Sequence, residues 1–164
     1  MAIVHVRVDD RVIHGQITTG WIRKKPADGF LVISDKVAQD SMRCKVLKAA
    51  AGNIKLGIYT VDQGVEALKK ALASPKRFFI ISDSISTFQQ LTERGSDYGG
   101  TLNIGNLNGT REGTKGVGNA LMLNDQDLHD LDYLQDHGVT LEFQLLANDS
   151  IKSWASVRDK YLSL

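Results

Sequence analysis

Short apolar runs alternate along this chain with longer segments in which apolar residues recur every three or four positions. Ile3–Val8 reads as a first strand, Phe30–Ser34 as an almost wholly apolar second, Lys55–Thr60 as a third and Arg77–Ser82 as a fourth. Gly15–Lys24 reads as a short helix with Ile17, Trp21 and Ile22 on one face. Asp40–Ala51 predicts a helix with Met42, Val46, Leu47 and Ala50 aligned, and Asp62–Ala73 one with Val65, Leu68 and Leu72 aligned. Ile85–Arg94 predicts a helix that stops before Gly95. Asn124-Asp125 caps another that runs through Asp136 and ends at Gly138. Thr101–Ile104 and Ala120–Leu123 read as short strands around a Gly-rich loop, Val139–Leu145 as a last strand and Ser150–Leu162 as a last helix.

Strand followed by helix, repeated, calls for crossover connections. The prediction is an α/β fold: a doubly wound, mostly parallel sheet of about seven strands with helices on both faces. The continuous apolar runs FLVIS and FFIIS fit it, because parallel strands are buried on both sides. In such sheets ligands bind beyond the carboxyl ends of the strands. That edge is expected to carry Asp9–Gly15, Asp35, Asp62, Ser82–Ser86 and Gly105–Gly109.

Composition narrows the classes. A chain of 164 residues is most simply one domain over 1–164. Hydrophobic residues at 42% and charged residues at 24% place it among ordinary soluble globular proteins. A net charge of +1 with scattered Lys and Arg argues against nucleic acid as a partner. The single cysteine, Cys44, excludes a disulfide framework and a Cys-rich zinc site, and fits a reducing cytoplasm. MAIVHVRVDD lacks the basic-then-apolar build of a signal peptide, and no apolar run approaches the ~20 residues that span a bilayer. A role at a membrane would come through docking to another protein.

The densest chemistry is Arg7-Val8-Asp9-Asp10-Arg11-Val12-Ile13-His14-Gly15-Gln16, at the turn from the first strand into the first helix. Imidazole accepts a phosphoryl group well because one ring nitrogen is partly unprotonated near neutral pH. The other nitrogen then needs a partner that fixes the tautomer, and Asp9, Asp10 or a backbone carbonyl is each a candidate. Gly15 allows close backbone approach, and the Gly15 and Gln16 N–H groups at a helix start can face a phosphoryl oxygen. Arg11 offers a fork that neutralises the equatorial oxygens. Arg7 either points into the cleft or caps the sheet edge. Asp9 and Asp10 either hold the arginines or simply form the turn, and Gln16 either donates to phosphate or is solvated. Asp35 is a helix N-cap or a support for the active loop. The plain alternative for His14 is a loop histidine bonded to backbone.

No metal is expected, since His5, His129 and His137 lack partners at ligand spacing. No cofactor is expected either. The Gly-rich stretch Asn103–Gly116 does not have the spacing of a nucleotide loop and reads as a turn that borders the cleft.

At RVDDRVIHGQ, followed by Trp21 and by Val32-Ile33-Ser34-Asp35-Lys36-Val37-Ala38, the chain resembles the enzyme IIB components of the mannose/fructose/sorbose family of bacterial phosphotransferase systems. Asn103-Ile104-Gly105-Asn106 and the pattern around His137-Gly138-Val139 extend the resemblance over the whole chain. It implies a doubly wound α/β fold and a protein-N(pi)-phosphohistidine–sugar phosphotransferase. It implies that His14 takes a phosphoryl group from phosphohistidine on a IIA component and passes it to a sugar entering through membrane IIC/IID components. Arg11 and Asp9 fall on the family's active loop; Arg7, Asp10 and Gln16 match its motif, and Asn106 its Gly-Asn pair. It further implies a cytoplasmic protein held at the inner membrane face by IIC/IID. Two stretches depart from the family: Ser82-Asp83-Ser84 stands where many relatives have Lys or Asn before Pro, and Asn108-Gly109-Thr110 differs after the Gly-Asn pair.

Two other classes fit the same residues. One is a non-catalytic doubly wound domain binding a nucleotide or sugar phosphate; the other is a nucleotidyl-transfer enzyme using His14 on an oxyanion. A homo-oligomer is open, since Trp154 and Tyr161 can pack internally or across a dimer, the internal arrangement being the default. The relay loop is expected at an accessible rim, with His14 exposed there.

Overall fold

The computed structural model describes residues 2–164. Seven strands form one sheet in the order β3-β2-β4-β1-β5-β8-β9. They are β1 (Ile3–Val8), β2 (Gly29–Ile33), β3 (Lys55–Tyr59), β4 (Phe78–Ser82), β5 (Thr101–Ile104), β8 (Thr140–Phe143) and β9 (Lys152–Ser153). Every pairing in it is parallel except β8 with β9. A separate antiparallel pair, β6 (Lys115–Gly118) and β7 (Leu121–Leu123), stands outside the sheet.

Two helical layers cover the two faces. The first holds α1 (Ile22–Lys24), α2 (Asp35–Ala38) and α3 (Ser41–Ala51), whose Val37, Leu47 and Ala51 join Ile17 and Trp21 over Phe30, Val32, Phe79 and Ile81. The second holds α4 (Val61–Ala73), α5 (Ile85–Glu93), α6 (Asp125–Asp136) and α7 (Trp154–Leu162), packed on Val6, Val8, Leu31, Ile33 and Ile80. The alternation of Phe79, Ile80 and Ile81 between the two cores is the period-2 geometry of a strand buried on both sides. Side chains cap the helices as the sequence suggests: Asn124 and Asp127 form a reciprocal cap on α6, and Gly138 follows its end at φ 87°.

The chain leaves β1 toward β2 on one side and leaves β5 toward β8 on the other. The connections diverge onto opposite faces, so a crevice opens beyond the carboxyl ends of β1 and β5. Asp9–Gln16 and Gly105–Gly109 are the segments that emerge there.

Several elements depart from the sequence reading. The first helix contains a π-helical turn, Ile17–Trp21, in which the Ile22 N–H reaches Ile17 O. Ile17 and Trp21, at either end of this turn, both lie in the core. Helix α3 is not the expected apolar stripe: Met42 and Val46 are 69% and 59% exposed and Ala50 is exposed, because α3 lies by the edge strand β3 and buries only Leu47 and Ala51. The expected strand at Ala120–Leu123 pairs with β6 instead of entering the sheet. The last helix begins at Trp154, not Ser150, because Lys152–Ser153 pair with β8 and the Ser153 hydroxyl accepts the Ser156 N–H as its cap. Strand β8 spans Thr140–Phe143, shorter at both ends than expected. Trp154 and Tyr161 pack internally, with Trp154 Nε1 donating to Asp132 Oδ1 at 2.9 Å and Tyr161 Oη to Asp125 Oδ1 at 2.6 Å.

Candidate active site

The site is built by how the backbone leaves β1. The Asp9 N–H continues toward β4, donating to Ser82 O at 2.9 Å, and the Asp10 N–H turns toward the β5 side, donating to Asn106 O at 2.8 Å. A tight turn follows, with the Val12 N–H on Asp9 O at 2.9 Å. Val12 adopts φ 62°, a left-handed conformation that costs a β-branched residue ~1–3 kcal/mol. Full burial of Val12 beside buried Ile13 holds it there. The turn delivers His14 to the start of the helix, where its carbonyl accepts the Ile17 and Thr18 N–H groups at 3.0 and 3.1 Å.

Asp9 is the hub. It is fully buried, and its Oδ2 stands 3.1 Å from His14 Nε2. Arg11 grips the same carboxylate three times: backbone N and Nε on Oδ1 at 3.0 and 3.1 Å, Nη2 on Oδ2 at 3.1 Å. Arg7 Nη2 lies 3.4 Å from Oδ2. Burial alone pushes the Asp9 carboxyl up, but the hydrogen bonds from His14 and Arg11 and the Arg7 charge outweigh it and hold it at about 2. At neutral pH Asp9 is therefore an acceptor only. A neutral His14 in contact with it carries its proton on Nε2, and the lone pair is left on Nδ1. The His14 side chain keeps 17% of its surface exposed, and Gly15 and Gln16 beside it are exposed. A Cβ on Gly15 would meet no protein atom within 4 Å, so the space above it opens outward. Gln16 Oε1 accepts Arg11 Nη2 at 3.3 Å, and Arg11 is 37% exposed.

Arg7 is a buried strut. Its side chain has no exposed surface and takes a core position opposite Trp21, whose ring centroid is 4.6 Å from Cζ. Nη1 donates to Asn103 Oδ1 and, at 2.9 Å, to Gln144 O; Nη2 donates to Leu145 O at 2.7 Å. Burial lowers Arg7 to about 10 against the opposing pull of Asp9, which leaves it charged at neutral pH. Gly105 makes room for it: any Cβ there would overlap the guanidinium. Asp10 secures the opposite wall. Its Oδ1 accepts Asn106 Nδ2 at 2.6 Å, and its Oδ2 accepts the Asn108 and Gly109 N–H groups at 2.8 Å each. The Gly-rich turn is thus fastened to the active loop through one carboxylate.

Asp35 is not brought to this cluster. Ser34 is the cap of α2, and Asp35 Oδ1 accepts the Val61 N–H at 2.8 Å, tying α2 to α4. Gln144 and Arg43, which sequence reasoning passed over, do belong, and Asn103 and Gly105, expected only within a stretch bordering the cleft, take defined places in it. Asn103 and Gln144 bind each other at 3.0 Å and hold Arg7 from both sides; a lone Asn inside the apolar strand TLNI was the available signal. Gly105 had none. Arg43 donates from α3 to Asp10 O at 2.9 Å and faces Asp83 at 4.0 Å, a contact 33 residues away in sequence with no local signature. The departing Ser82-Asp83-Ser84 segment supplies the carbonyl that anchors Asp9, and Ser84 caps α5. Among the described residues no group of three or more His, Cys, Asp or Glu is placed to hold a metal ion.

An imidazole with one nitrogen pinned to a buried carboxylate and the other free, next to an arginine fork, is arranged for a nucleophile. Residues 3–162 match the family model described as the sorbose-subfamily IIB component of the phosphotransferase system. The chain belongs to that family. It is 33% identical over 161 residues to the fructose-specific EIIB component of Bacillus subtilis, covering 96% of each chain. It is 30% identical to the N-acetylgalactosamine-specific IIB component 1 of Escherichia coli, covering 90% of this chain and 92% of that one. The crystal structure of the IIBSor domain of the sorbose permease from Klebsiella pneumoniae superposes with a TM-score of 0.88 at 27% identity, covering 99% of this chain and 98% of that one. IIB components are phosphotransferase subunits of sugar transport, and the mostly parallel α/β sheet is the IIB fold.

Proposed function

We propose that His14 is the phosphoryl acceptor of this IIB component and that Nδ1 is the reacting atom. The observation that carries the reading is the hydrogen bond between His14 Nε2 and buried, ionised Asp9, which leaves Nδ1 as the free lone pair. In the first step Nδ1 attacks the phosphorus of a phosphohistidine on the IIA component. The donor's N–P bond breaks, its electron pair returns to the donor ring, and a new N–P bond forms on His14. In the second step a sugar hydroxyl presented by the IIC/IID components attacks that phosphorus and forms an O–P bond, the hydroxyl proton passes to water or a base on those components, the His14 N–P bond breaks, and its electron pair returns to Nδ1.

Arg11 and the N–H groups of Gly15 and Gln16 stabilise the transferring phosphoryl. The amides of a first helical turn have no intrahelical acceptor and favour an anion. Asp9 supports the positive character that Nε2–H develops when Nδ1 is phosphorylated. Arg7 and Asp10 hold the loop, with Asn106 assisting Asp10. Because His14 stands at a rim, donor and acceptor reach it in turn on partner proteins. No helix among the described residues is long and apolar enough to cross a membrane, and the protein works on the cytoplasmic side, docked to IIC/IID. The sugar is selected in the membrane components.

The test is incubation with phosphorylated IIA. An acid-labile, base-stable phosphate on the wild type and none on His14→Ala is the expected result. Label retained by His14→Ala overturns the assignment.

A further inference from the structure

The Val12 N–H donates to Asp9 O at 2.9 Å, so Asp9–Val12 is a β-turn with Asp10 and Arg11 at its centre. The peptide that joins those two residues is planar and trans, so its C=O and N–H point in opposite directions. Each has a partner. The Arg11 N–H donates to Asp9 Oδ1 at 3.0 Å, and the Asp10 C=O accepts Arg43 Nη2 at 2.9 Å. Rotation of this central peptide is what separates one type of β-turn from another. Here that rotation breaks both bonds at once. It also takes the Arg11 N–H away from the carboxylate that contacts His14 Nε2.

Arg43 comes to this peptide from another part of the fold. It lies in the first turn of α3, where its backbone N–H donates to the Asp40 cap at 3.0 Å. Helix α3 is fixed in turn by buried Leu47 and Ala51. The other arm of the guanidinium, Nη1, faces Asp83 Oδ2 at 4.0 Å, and the two side chains are only 27% and 12% exposed. Asp83 follows Ser82, whose carbonyl accepts the Asp9 N–H. Met42, Lys45 and Val46 of the same helix are exposed, so Arg43 is the side chain of this turn that is folded inward onto the loop. A charged donor on a carbonyl makes a stronger hydrogen bond than a neutral one, and polarising the C=O strengthens the N–H across the same peptide. Charges and dipoles therefore alternate from Asp83 through Arg43 and the Asp10–Arg11 peptide to Asp9 and His14.

We infer that Arg43 is a positioning residue for phosphoryl acceptance: it locks the Asp10–Arg11 peptide, and through the Arg11 N–H it fixes the Asp9 carboxylate that orients His14. The inference rests on the function proposed above. Arg43 acts on Asp9 and not on the incoming partner. Its loss therefore lowers the rate within the docked complex and leaves docking itself unchanged.

The test compares the full chain with Arg43→Ala and Arg43→Lys, and with Arg43→Gln should Arg43→Ala not fold. In single-turnover phosphorylation, Arg43→Ala is expected to lower the maximal rate at saturating phosphorylated IIA by ~10- to 100-fold, with the half-saturating IIA concentration unchanged. A raised half-saturating concentration at wild-type maximal rate overturns the inference and makes Arg43 a docking cation. Hydrogen exchange at the Arg11 amide should quicken at least ~10-fold in Arg43→Ala while the β1 amides keep their protection. An unchanged Arg11 amide overturns the link through the peptide. The ¹⁵N spectrum of unphosphorylated His14 should show the proton on Nε2 in the wild type and a mixture of tautomers in Arg43→Ala; a wild-type spectrum in that variant overturns the link to Asp9. Arg43→Lys keeps one charged donor and should recover most of the lost rate, and an Arg43→Lys chain as slow as Arg43→Ala overturns the part given to the charged donor. The exchange and tautomer measurements need no phosphoryl donor. A wild type that takes no phosphoryl group on His14 therefore overturns the function proposed above, while those two measurements decide the role of Arg43 by themselves.

Discussion

Replacing Asp9 with Asn keeps the shape of the side chain and removes its charge. The carboxylate receives five hydrogen-bonding contacts, from Arg11 N, Nε and Nη2, His14 Nε2 and Arg7 Nη2. An amide offers one oxygen to these donors and turns an NH₂ toward the rest. The structure sets the scale. Asp9 is held at about 2 from the ordinary 3.8, and at ~1.36 kcal/mol per pH unit that is worth about 2 kcal/mol at pH 7. The change also leaves Arg7 buried without its counter-charge, and breaking such a pair costs ~3–5 kcal/mol, part of which is the same attraction. Asp9→Asn is therefore expected to lose about 2–5 kcal/mol in urea denaturation at neutral pH. Because the folded-state value is depressed, the Asp9 contribution is fully present above pH 3.8 and fades as pH falls through about 2. The gap between wild type and variant should thus narrow over that window, while other titrating carboxylates cancel in the difference. The second readout is transfer. With the tautomer no longer enforced, single-turnover phosphorylation by phosphorylated IIA should slow by on the order of 10²–10⁴. A variant with wild-type stability, an unchanged gap down to acid pH, or a wild-type transfer rate would refute the role given to Asp9.

Three other outcomes follow from the same contacts. Gly105→Ala drives a methyl group into the Arg7 guanidinium and should cost ~1–3 kcal/mol in thermal or urea unfolding, whereas the open position of Gly15 makes Gly15→Ala neutral to stability yet slow in single-turnover transfer. Asp10→Asn weakens its hold on Asn108 and Gly109, and amide hydrogen exchange at those two residues should quicken while β1 stays protected. Val12→Gly relieves a left-handed φ but removes a fully buried side chain; the net should be destabilising by about 1 kcal/mol, with a broader range of His14 ring orientations seen by NMR relaxation.

What was legible in the sequence follows from range. The apolar runs that became β1, β2 and β4 are buried on both faces, so their pattern is local and strong. The cluster from Asp9 to Gln16 also lies within one turn of chain, and its hub, fork and ring could be read together. Residues fixed by distant contacts could not. Arg7 reads as either a cleft residue or a cap of the sheet edge until Asn103 and Gln144, far along the chain, close around it. Asp35 occupies the expected sheet edge, but its carboxylate accepts the first N–H of α4, so it ties α2 to α4 instead of supporting the loop. Met42 and Val46 have the periodicity of a core face, yet that face has no sheet beneath it once α3 lies by the outermost strand. The β6–β7 pair and β9 are short, and their pairing is decided by what lies opposite, not by their own composition.

The central claim is that Asp9 fixes His14 with its proton on Nε2 and reserves Nδ1 for the phosphoryl group. The direct measurement is NMR of the ¹⁵N-histidine-labelled protein after phosphorylation by IIA, reading which ring nitrogen of His14 couples to ³¹P. Coupling at Nδ1, with Nε2 still protonated, is the predicted result. A phosphoryl group on Nε2, or on His5, His129 or His137, would contradict it.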